Sequence, residues 1–179
     1  YGANDKFFDI TPDYRSNKFV AVGRFTAKKA PYYSLLAFRK VLDECSDAKL
    51  QFIGEGDLFE TCQNLTKQFN LSEQVMFLGE RDHAEIVKAM SESFCFIQHS
   101  IQAKSGDSEG APVAIIEASA ASLPVISTRH SGIRDIIQEE RTGLLIDEHD
   151  VDGMVNHMIR LYRDRELAKH MGMNARVRA

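Results

Sequence analysis

The chain has 179 residues, of which 44% are apolar and 27% are charged, and its formal net charge is −4. This length and balance are ordinary for one soluble globular domain, and they argue against a general nucleic-acid binder, which usually carries a basic face. No apolar run approaches the roughly 18 residues of a membrane-spanning helix, and the first ten residues lack the features of a signal peptide. We therefore expect a cytoplasmic protein.

The cysteines and histidines do not have the spacing of a cross-linked or metal-binding protein. Cys45, Cys62 and Cys95 are odd in number and far apart, which favours reduced, mostly buried thiols over a disulfide framework. The six histidines include no His-Glu-x-x-His pattern. The spacing therefore gives no support for a metal site, and we expect none.

Taken in chain order, the elements begin after a polar, turn-rich opening segment, residues 1–17. From residue 18 onward, short β-branched or apolar runs alternate with stretches whose apolar residues recur at helical spacing. The predicted strands are residues 18–24, 49–54, 74–79, 94–99, 124–128 and 143–146. The predicted helices are residues 31–45, 57–69, 83–91, 112–121 and 132–139, and two more between about 150 and 178. This alternation predicts a doubly wound α/β domain, with a parallel sheet of about six strands and helices on both faces.

Ligands of such sheets bind beyond the carboxyl ends of the strands, so residues that directly follow strands are the informative ones. The first such segment, residues 23–29, contains Arg24 and Lys29. An Arg fork and a Lys point charge separated by a short turn can converge on one anion. A solvated basic turn explains this segment equally well when it is considered alone.

The second segment, residues 106–117, follows the fourth predicted strand and runs from a loop of small residues into a helix. Backbone N–H groups at a helix start are unpaired and favour negative charge, which suits a diphosphate. Glu117 lies inside an apolar stretch, where a carboxylate needs a partner, and a ribose diol could supply one. Glu109 could instead be a simple helix-start carboxylate.

Three further patterns are weaker. Residues 131–133 (Ser-Gly-Ile) could bring backbone close to a ligand, but an ordinary turn is the better interpretation. Residues 107–109 (Asp-Ser-Glu) resemble a metal-chelating triplet, yet their strand-loop-helix setting favours phosphate binding. Residues 54–56 (Gly-Glu-Gly) suggest a dinucleotide fingerprint, but Phe59 occupies the place of its third glycine, so a tight turn is favoured.

Together these motifs resemble the C-terminal domain of glycosyltransferase family 4, the large retaining family with the GT-B fold. The motifs are, in order, Arg24 with Lys29, Glu109-Gly110-x-Pro112 with Glu117 and Ala118, residues 122–126, residues 131–133 and residues 142–145. Gly2-Ala3-Asn4 with Phe8 resembles the start of that domain after the interdomain crossover. The loop at residues 106–110 further resembles members that build exopolysaccharides such as colanic acid.

The resemblance implies a role for each matching position. Arg24 and Lys29 match the basic pair that holds the donor diphosphate and stabilises the departing nucleotide, and Glu109 matches the acidic residue near the donor sugar. These three are the predicted catalytic residues, and Glu117 matches the ribose-binding glutamate. Glu80 and His83 flank Arg81 in a segment where the family places contacts to the base. The predicted donor-binding residues are Gly23, Arg24, Lys29, Arg81, Glu109, Gly110, Ala111, Pro112, Val113 and Glu117.

The resemblance also implies partners and a domain organisation. Residues 18–179 would be the Rossmann-like donor-binding half, taking a UDP- or GDP-sugar as substrate without a metal or other cofactor. A glycan or lipid-linked acceptor would bind through an N-terminal domain absent from this chain. The full-length protein would be cytoplasmic or peripheral at the inner face of the membrane, and the isolated domain would be inactive.

Two positions depart from the family pattern, and two alternatives stay open. Ala30 follows Lys29 where the family usually has Gly, so that turn could differ. The family also usually has Gly just before Pro-Val-Ile, whereas this chain has Ser122 and Leu123. The alternatives are a nucleotide-binding module without catalysis and a nucleotide-sugar epimerase of the same architecture. Retention of Arg24, Lys29, Glu109 and Glu117 speaks against the non-catalytic module, and the Glu109–Glu117 spacing with Gly110-x-Pro112 favours the transferase over the epimerase.

Overall fold

The protein is an α/β domain in the computed structural model, which describes residues 2–179; Tyr1 of the predicted opening segment lies outside the described residues. The strands are β1 (Lys18–Val22), β2 (Lys49–Ile53), β3 (Val75–Phe77), β4 (Cys95–Ile97), β5 (Val125–Thr128) and β6 (Gly143–Ile146). The helices are α1 (Asp5–Phe8), α2 (Pro31–Val41), α3 (Phe59–Gln68), α4 (His83–Ser91), α5 (Val113–Ala120), α6 (Ile133–Ile136), α7 (Val151–Arg163) and α8 (Arg165–Arg178). A turn of 3-10 helix spans Ala27–Lys29.

The six strands form one parallel sheet in the order β3-β2-β1-β4-β5-β6. The order reverses between β1 and β4, so the segments that leave these two strands diverge and open a crevice at the carboxyl edge. The prediction of a doubly wound α/β fold is confirmed. The basic segment, residues 23–29, follows β1, and the segment with the two glutamates, residues 106–117, comes after β4. These are the two strands at the switch point.

The sheet is buried on both faces: neighbouring strand residues point to opposite sides, and an apolar core covers each side. In β1, Phe19 belongs to the apolar core on one face and Val20 to the core on the other. In β4, Ile97 and Phe96 are divided in the same way. This two-sided burial explains why the strands are continuous apolar runs in the sequence.

One helix was not predicted. Helix α1 lies in the opening segment, where the Asn4 side chain accepts a hydrogen bond from the Lys6 amide and caps the first turn. Phe7 is fully buried and Ile10 nearly so, and both belong to the core that also contains residues of α5. Four residues are too few to show a helical repeat, so the sequence pattern could not reveal the element.

Several other predicted strands and helices extended too far at their ends. Residues 23–24 leave the sheet after β1, and the helix predicted at 31–45 ends at Val41, followed by turns. The helix predicted to start at Pro112 starts at Val113, because Pro112 has an extended ψ of 118° and is the N-cap. Its carbonyl accepts the first hydrogen bonds of the helix, from Ile115 and Ile116.

The two departures from the family pattern keep a glycine-like backbone. Ala30 has φ of 36° and Ser122 has φ of 61°, both in the left-handed region that glycine adopts most easily. The turns are therefore formed at the expense of local strain. Among the helices of residues 2–179, none combines the length with the apolar composition that crossing a bilayer requires.

Candidate donor-binding site

The segment after β1 places two cations at the switch point. Gly23 has no side chain, and a Cβ there would lie 3.0 Å from Lys29 Cδ, so the glycine makes room for the lysine stem. Arg24 is exposed and has no ion-pair partner within residues 2–179. Gly23, Arg24 and Lys29 line a common small cavity of about 30 Å³. The structure thus brings the three residues together.

Glu109 is the ion-pair partner of Lys29. The Lys29 Nζ lies 3.1 Å from Glu109 Oε2, and Lys28 Nζ lies 3.8 Å from Glu109 Oε1 and 3.3 Å from Asp107 Oδ2. Glu109 is only 7% exposed, so its charge is compensated in a largely dry environment. Glu109 precedes α5 by several residues and contacts a neighbouring loop, which does not fit the alternative of a helix-start carboxylate.

The start of α5 offers backbone donors to a ligand. Pro112 is the N-cap and provides no side-chain acceptor, and the first turn contains no acidic residue. The amides of Val113 and Ala114 consequently have no partner among the described residues. Gly110, Ala111 and Val113 are exposed, so an anion can approach this helix end from solvent.

Glu117, in the second turn of α5, is a carboxylate without a partner. It is 7% exposed and accepts no hydrogen bond from residues 2–179. Burial raises the pKa of Glu117, and the charge of His83 at the start of α4 opposes that rise in pKa. A mostly buried, unpaired acceptor of this kind is costly in the free protein, which points to a ligand that carries hydroxyl donors.

A larger cleft opens on the other side of Gly23. Its volume is about 450 Å³, and it is lined by Val22, Gly23, Arg24, Ile53, Gly54, Glu55, Gly56, Glu80, Arg81 and Ile86. Arg81 lies at this cleft and is tethered by Glu85, whose Oε1 is 3.6 Å from Arg81 Nε. A Cβ at Gly54 would lie 2.0 Å from the Gly23 carbonyl oxygen, so this glycine allows two strand-end loops to touch. That contact fits the predicted tight turn.

The predicted site residues thus form two groups. Gly23, Arg24 and Arg81 line the larger cleft, whereas Glu117 and residues 110–113 do not line it. The two groups meet through the contact between Lys29 and Glu109. At residues 131–133, a Cβ on Gly132 would lie 2.3 Å from the Gly110 carbonyl oxygen, so this glycine supports the loop before α5.

Sequence reasoning missed four polar residues at the same edge. The Glu109 amide donates to His130 Nε2 at 3.1 Å, and His130 Nδ1 contacts Glu148 Oε1. His99 is fully buried at the end of β4, where its Nε2 accepts from the His149 amide at 2.9 Å. All four residues lie just past strand ends, so the positional rule that singled out residues 131–133 could have found them. Within residues 2–179, no group of three histidine, cysteine or acidic side chains is placed to hold a metal ion.

The fold and the site define a class of protein: a doubly wound domain with an uncapped helix start and two cations at its switch point. Residues 3–178 match the family described as glycosyl transferases group 1. The chain belongs to this family, and its architecture is that of the Rossmann-like half of a GT-B fold.

Individual relatives give the same result. The chain is 32% identical over 157 residues to N-acetyl-alpha-D-glucosaminyl L-malate synthase of Bacillus anthracis, covering 88% of this chain and 39% of that protein. It is 28% identical over 141 residues to WcaL of Escherichia coli, which is named for colanic acid biosynthesis, covering 79% of this chain and 35% of that protein. The crystal structure of a TarM mutant of S. aureus, in complex with Fondaparinux, alpha-GlcNAc-glycerol and UDP, superposes with a TM-score of 0.83 at 19% identity; the match covers 99% of this chain and 34% of that one. The chain therefore spans less than two-fifths of the length of each of these two curated relatives.

Proposed function

We propose that this chain is the nucleotide-sugar-binding domain of a retaining glycosyltransferase, which transfers a sugar from a UDP- or GDP-sugar to a glycan or lipid-linked acceptor. The observation that carries the proposal is Glu117, a mostly buried carboxylate without a partner in the described residues. A ribose diol would donate two hydrogen bonds to it. Family membership and the unpaired amides at the start of α5 support this assignment.

The diphosphate would bind between the start of α5 and the basic segment after β1. The unpaired amides of Val113 and Ala114, the free Arg24 guanidinium and the Lys29 ammonium are all donors suited to phosphate oxygens. Because Lys29 is already paired with Glu109, the site holds its lysine in a fixed place before ligand arrives. Preorganisation of this kind lowers the free energy needed to order the site on binding.

These same groups would stabilise the transition state. As the bond between the anomeric carbon and the β-phosphate oxygen breaks, negative charge develops on the leaving nucleoside diphosphate. Arg24, Lys29 and the α5 amides would meet that charge without moving, which is the usual large contribution in such catalysis. No side chain is assigned as a nucleophile, and the retained configuration is proposed from the family.

The remaining parts of the proposal concern the rest of the protein. Residues 18–179 would form the donor-binding domain, with residues 1–17 as the segment that follows the crossover from an acceptor-binding domain. The larger cleft, lined by Arg24 and Arg81, would hold the base and so decide between uracil and guanine. The reaction would need no metal or other cofactor, and the full-length protein would work in the cytoplasm or at the inner face of the membrane.

The test is a calorimetric titration of UDP, GDP and ADP into the 179-residue chain. One diphosphate should bind, and Glu117→Ala and Arg24→Ala should each weaken its binding by at least about tenfold, the effect of losing one charge-assisted hydrogen bond or more. Glu166→Ala and Arg163→Ala are the matched controls, because both residues are exposed on α8 and α7 and line neither cavity. If the controls weaken binding as much as the site variants, the assigned site is wrong.

A further inference from the structure

Four side chains form a continuous series of contacts along the carboxyl edge of the sheet. Glu148 follows β6, His130 follows β5, Glu109 lies in the segment after β4, and Lys29 lies in the segment after β1. Each contacts the next, through the Glu148–His130, His130–Glu109 and Glu109–Lys29 contacts. The series follows the order of the strands in the sheet, so it joins four separate loops into one unit.

The contacts of its two ring nitrogens determine the tautomer of His130. The Glu109 amide donates a hydrogen bond to His130 Nε2 at 3.1 Å, and a nitrogen that accepts carries no proton. The ring proton is therefore on Nδ1, from which it is donated to Glu148 Oε1. The hydrogen bond to Glu148 thus sets the tautomer of His130, and this tautomer leaves Nε2 able to accept from the Glu109 amide.

Glu148 is itself held in place on both oxygens. Its Oε2 accepts from the Gln102 amide at 3.1 Å, in the same segment that contains Glu109. Partial burial acts to raise the pKa of Glu148, the hydrogen bonds from His130 and Gln102 act to lower it, and on balance the pKa lies below its usual value. Glu148 is thus an ionised acceptor that orients the imidazole.

We propose that His130 and Glu148 are positioning residues that hold the Glu109 backbone, and through it the Glu109 carboxylate, against Lys29. The importance of that arrangement for the donor rests on the proposed function. Neither residue would touch the donor. His130 is 4% exposed, and within residues 2–179 its side chain reaches the site through the hydrogen bond that it accepts from the Glu109 amide.

Arg129, next to His130, is a matched control. It is on the same loop, but its guanidinium pairs with Glu139 and Asp147 and makes no contact with Glu109. Arg129→Ala therefore removes a polar side chain from the loop after β5 without touching the series of contacts. A difference between Arg129→Ala and His130→Ala cannot be ascribed to general loosening of the loop.

The first measurement needs no ligand. Nitrogen-15 NMR of the 179-residue chain should show the His130 ring protonated on Nδ1 alone, and hydrogen exchange should show a protected Glu109 amide. His130→Ala should speed exchange of that amide by at least about tenfold, because loss of one hydrogen bond changes the opening equilibrium by roughly that factor. Arg129→Ala should leave it unchanged. A proton on Nε2, or an unprotected Glu109 amide in the unaltered chain, would overturn the proposal.

The second measurement is titration with UDP and GDP. His130→Ala and Glu148→Ala should each weaken binding of the preferred nucleotide by about tenfold, and the double variant should be no weaker than either single variant because both act through Glu109. His130→Gln should retain most of the affinity, since its Oε1 can accept from the Glu109 amide in place of Nε2. Additive losses, or His130→Gln as weak as His130→Ala, would contradict a positioning role.

The two measurements separate this inference from the proposed function. If the unaltered chain binds neither nucleotide while the tautomer and exchange results are as expected, the donor-site assignment fails and the positioning of Glu109 stands. If nucleotide binds and responds to Glu117→Ala but not to His130→Ala, only the positioning proposal fails. Should His130→Ala not fold, Glu148→Ala carries both measurements.

Discussion

The two edges of the sheet differ in how their ionisable side chains are partnered. At the amino edge, the guanidinium of Arg165 lies 3.8 Å over the Phe94 ring and donates to the carbonyls of Tyr162, Tyr14 and Ser16. At the carboxyl edge, Glu117 and Arg24 lack partners among residues 2–179, and His99 Nδ1 is buried without one. The amino edge uses the Arg165 guanidinium to hold the fold together, whereas the carboxyl edge, beside its Lys29–Glu109 and His130–Glu148 pairs, also leaves ionisable groups without partners, as expected of a binding surface.

Substitution of Arg165 should have the largest effect on the free energy of unfolding. Helix α8 begins at this residue, and its guanidinium ties the helix to the chain just before β1. Arg165→Ala removes charge-assisted hydrogen bonds and a desolvated cation–π contact, so the free energy of unfolding should fall by about 4 kcal/mol. Nucleotide binding by the folded fraction should be unchanged. Urea denaturation measures the loss.

The neighbouring Arg163 is the control for this comparison. It is exposed on α7 and makes a surface ion pair with Glu44 at 2.8 Å. Arg163→Ala should change the free energy of unfolding by less than about 1 kcal/mol. If the two arginine variants lose similar stability, the contrast between a structural amino edge and a functional carboxyl edge does not hold.

His99 should make the stability of the carboxyl edge depend on pH. Burial, with a smaller contribution from the charge of His149, lowers the pKa of His99 from 6.5 to about 4. The folded state therefore binds fewer protons than the unfolded state between these values, so stability is complete above pH 6.5 and is lost as pH falls toward 4. About 2.5 pH units correspond to a loss on the order of 3 kcal/mol.

The measurement is urea denaturation of the unaltered chain and of His99→Gln at pH 7, 6 and 5. Carboxylates also titrate in this range, so the informative quantity is the difference between the two proteins. The Gln side chain can still accept from the His149 amide, and the variant should lose less stability than the unaltered chain as pH falls. His170→Gln, an exposed change on α8, should follow the unaltered chain. Equal pH dependence in all three would contradict the burial of a neutral His99.

Most of the fold was predictable because its determinants are local. Each strand is an apolar run buried on both faces, and each long helix shows its own repeat. Helix α1 was missed because one turn has no repeat to detect. The left-handed backbone of Ala30 and Ser122 shows that the turns persist without the family's glycines, which no pattern of residue types could establish.

The site was predictable only in part, for a different reason. Arg24, Lys29, Glu109 and Glu117 could be singled out because each follows a strand or interrupts an apolar stretch. Their pairing could not, because the contact between Lys29 and Glu109 depends on β1 lying next to β4. The series from Glu148 through His130 depends on the order of four strands. Such a network follows from the order of the strands in the sheet, and the sequence around any one of its residues does not reveal it.

Substitutions of Glu117 and Glu109 should have the smallest effects on the free energy of unfolding. They give the most direct comparison between an unpaired and a paired carboxylate, since both residues are 7% exposed and belong to the same segment. Burial raises the pKa of Glu117, so its contribution to stability is favourable below the unfolded pKa and is lost as pH rises through the folded pKa. At pH 7 its charge opposes folding, and Glu117→Gln should stabilise the chain by about 1 kcal/mol while weakening nucleotide binding.

Glu109→Gln should instead lower the free energy of unfolding at pH 7, because it leaves the ammonium of Lys29 without its partner carboxylate. Stabilisation by both variants would mean that the Lys29 pair does not offset the burial of Glu109. Destabilisation by both would mean that Glu117 has a partner in the free protein, and its place as the group reserved for a ligand would be lost.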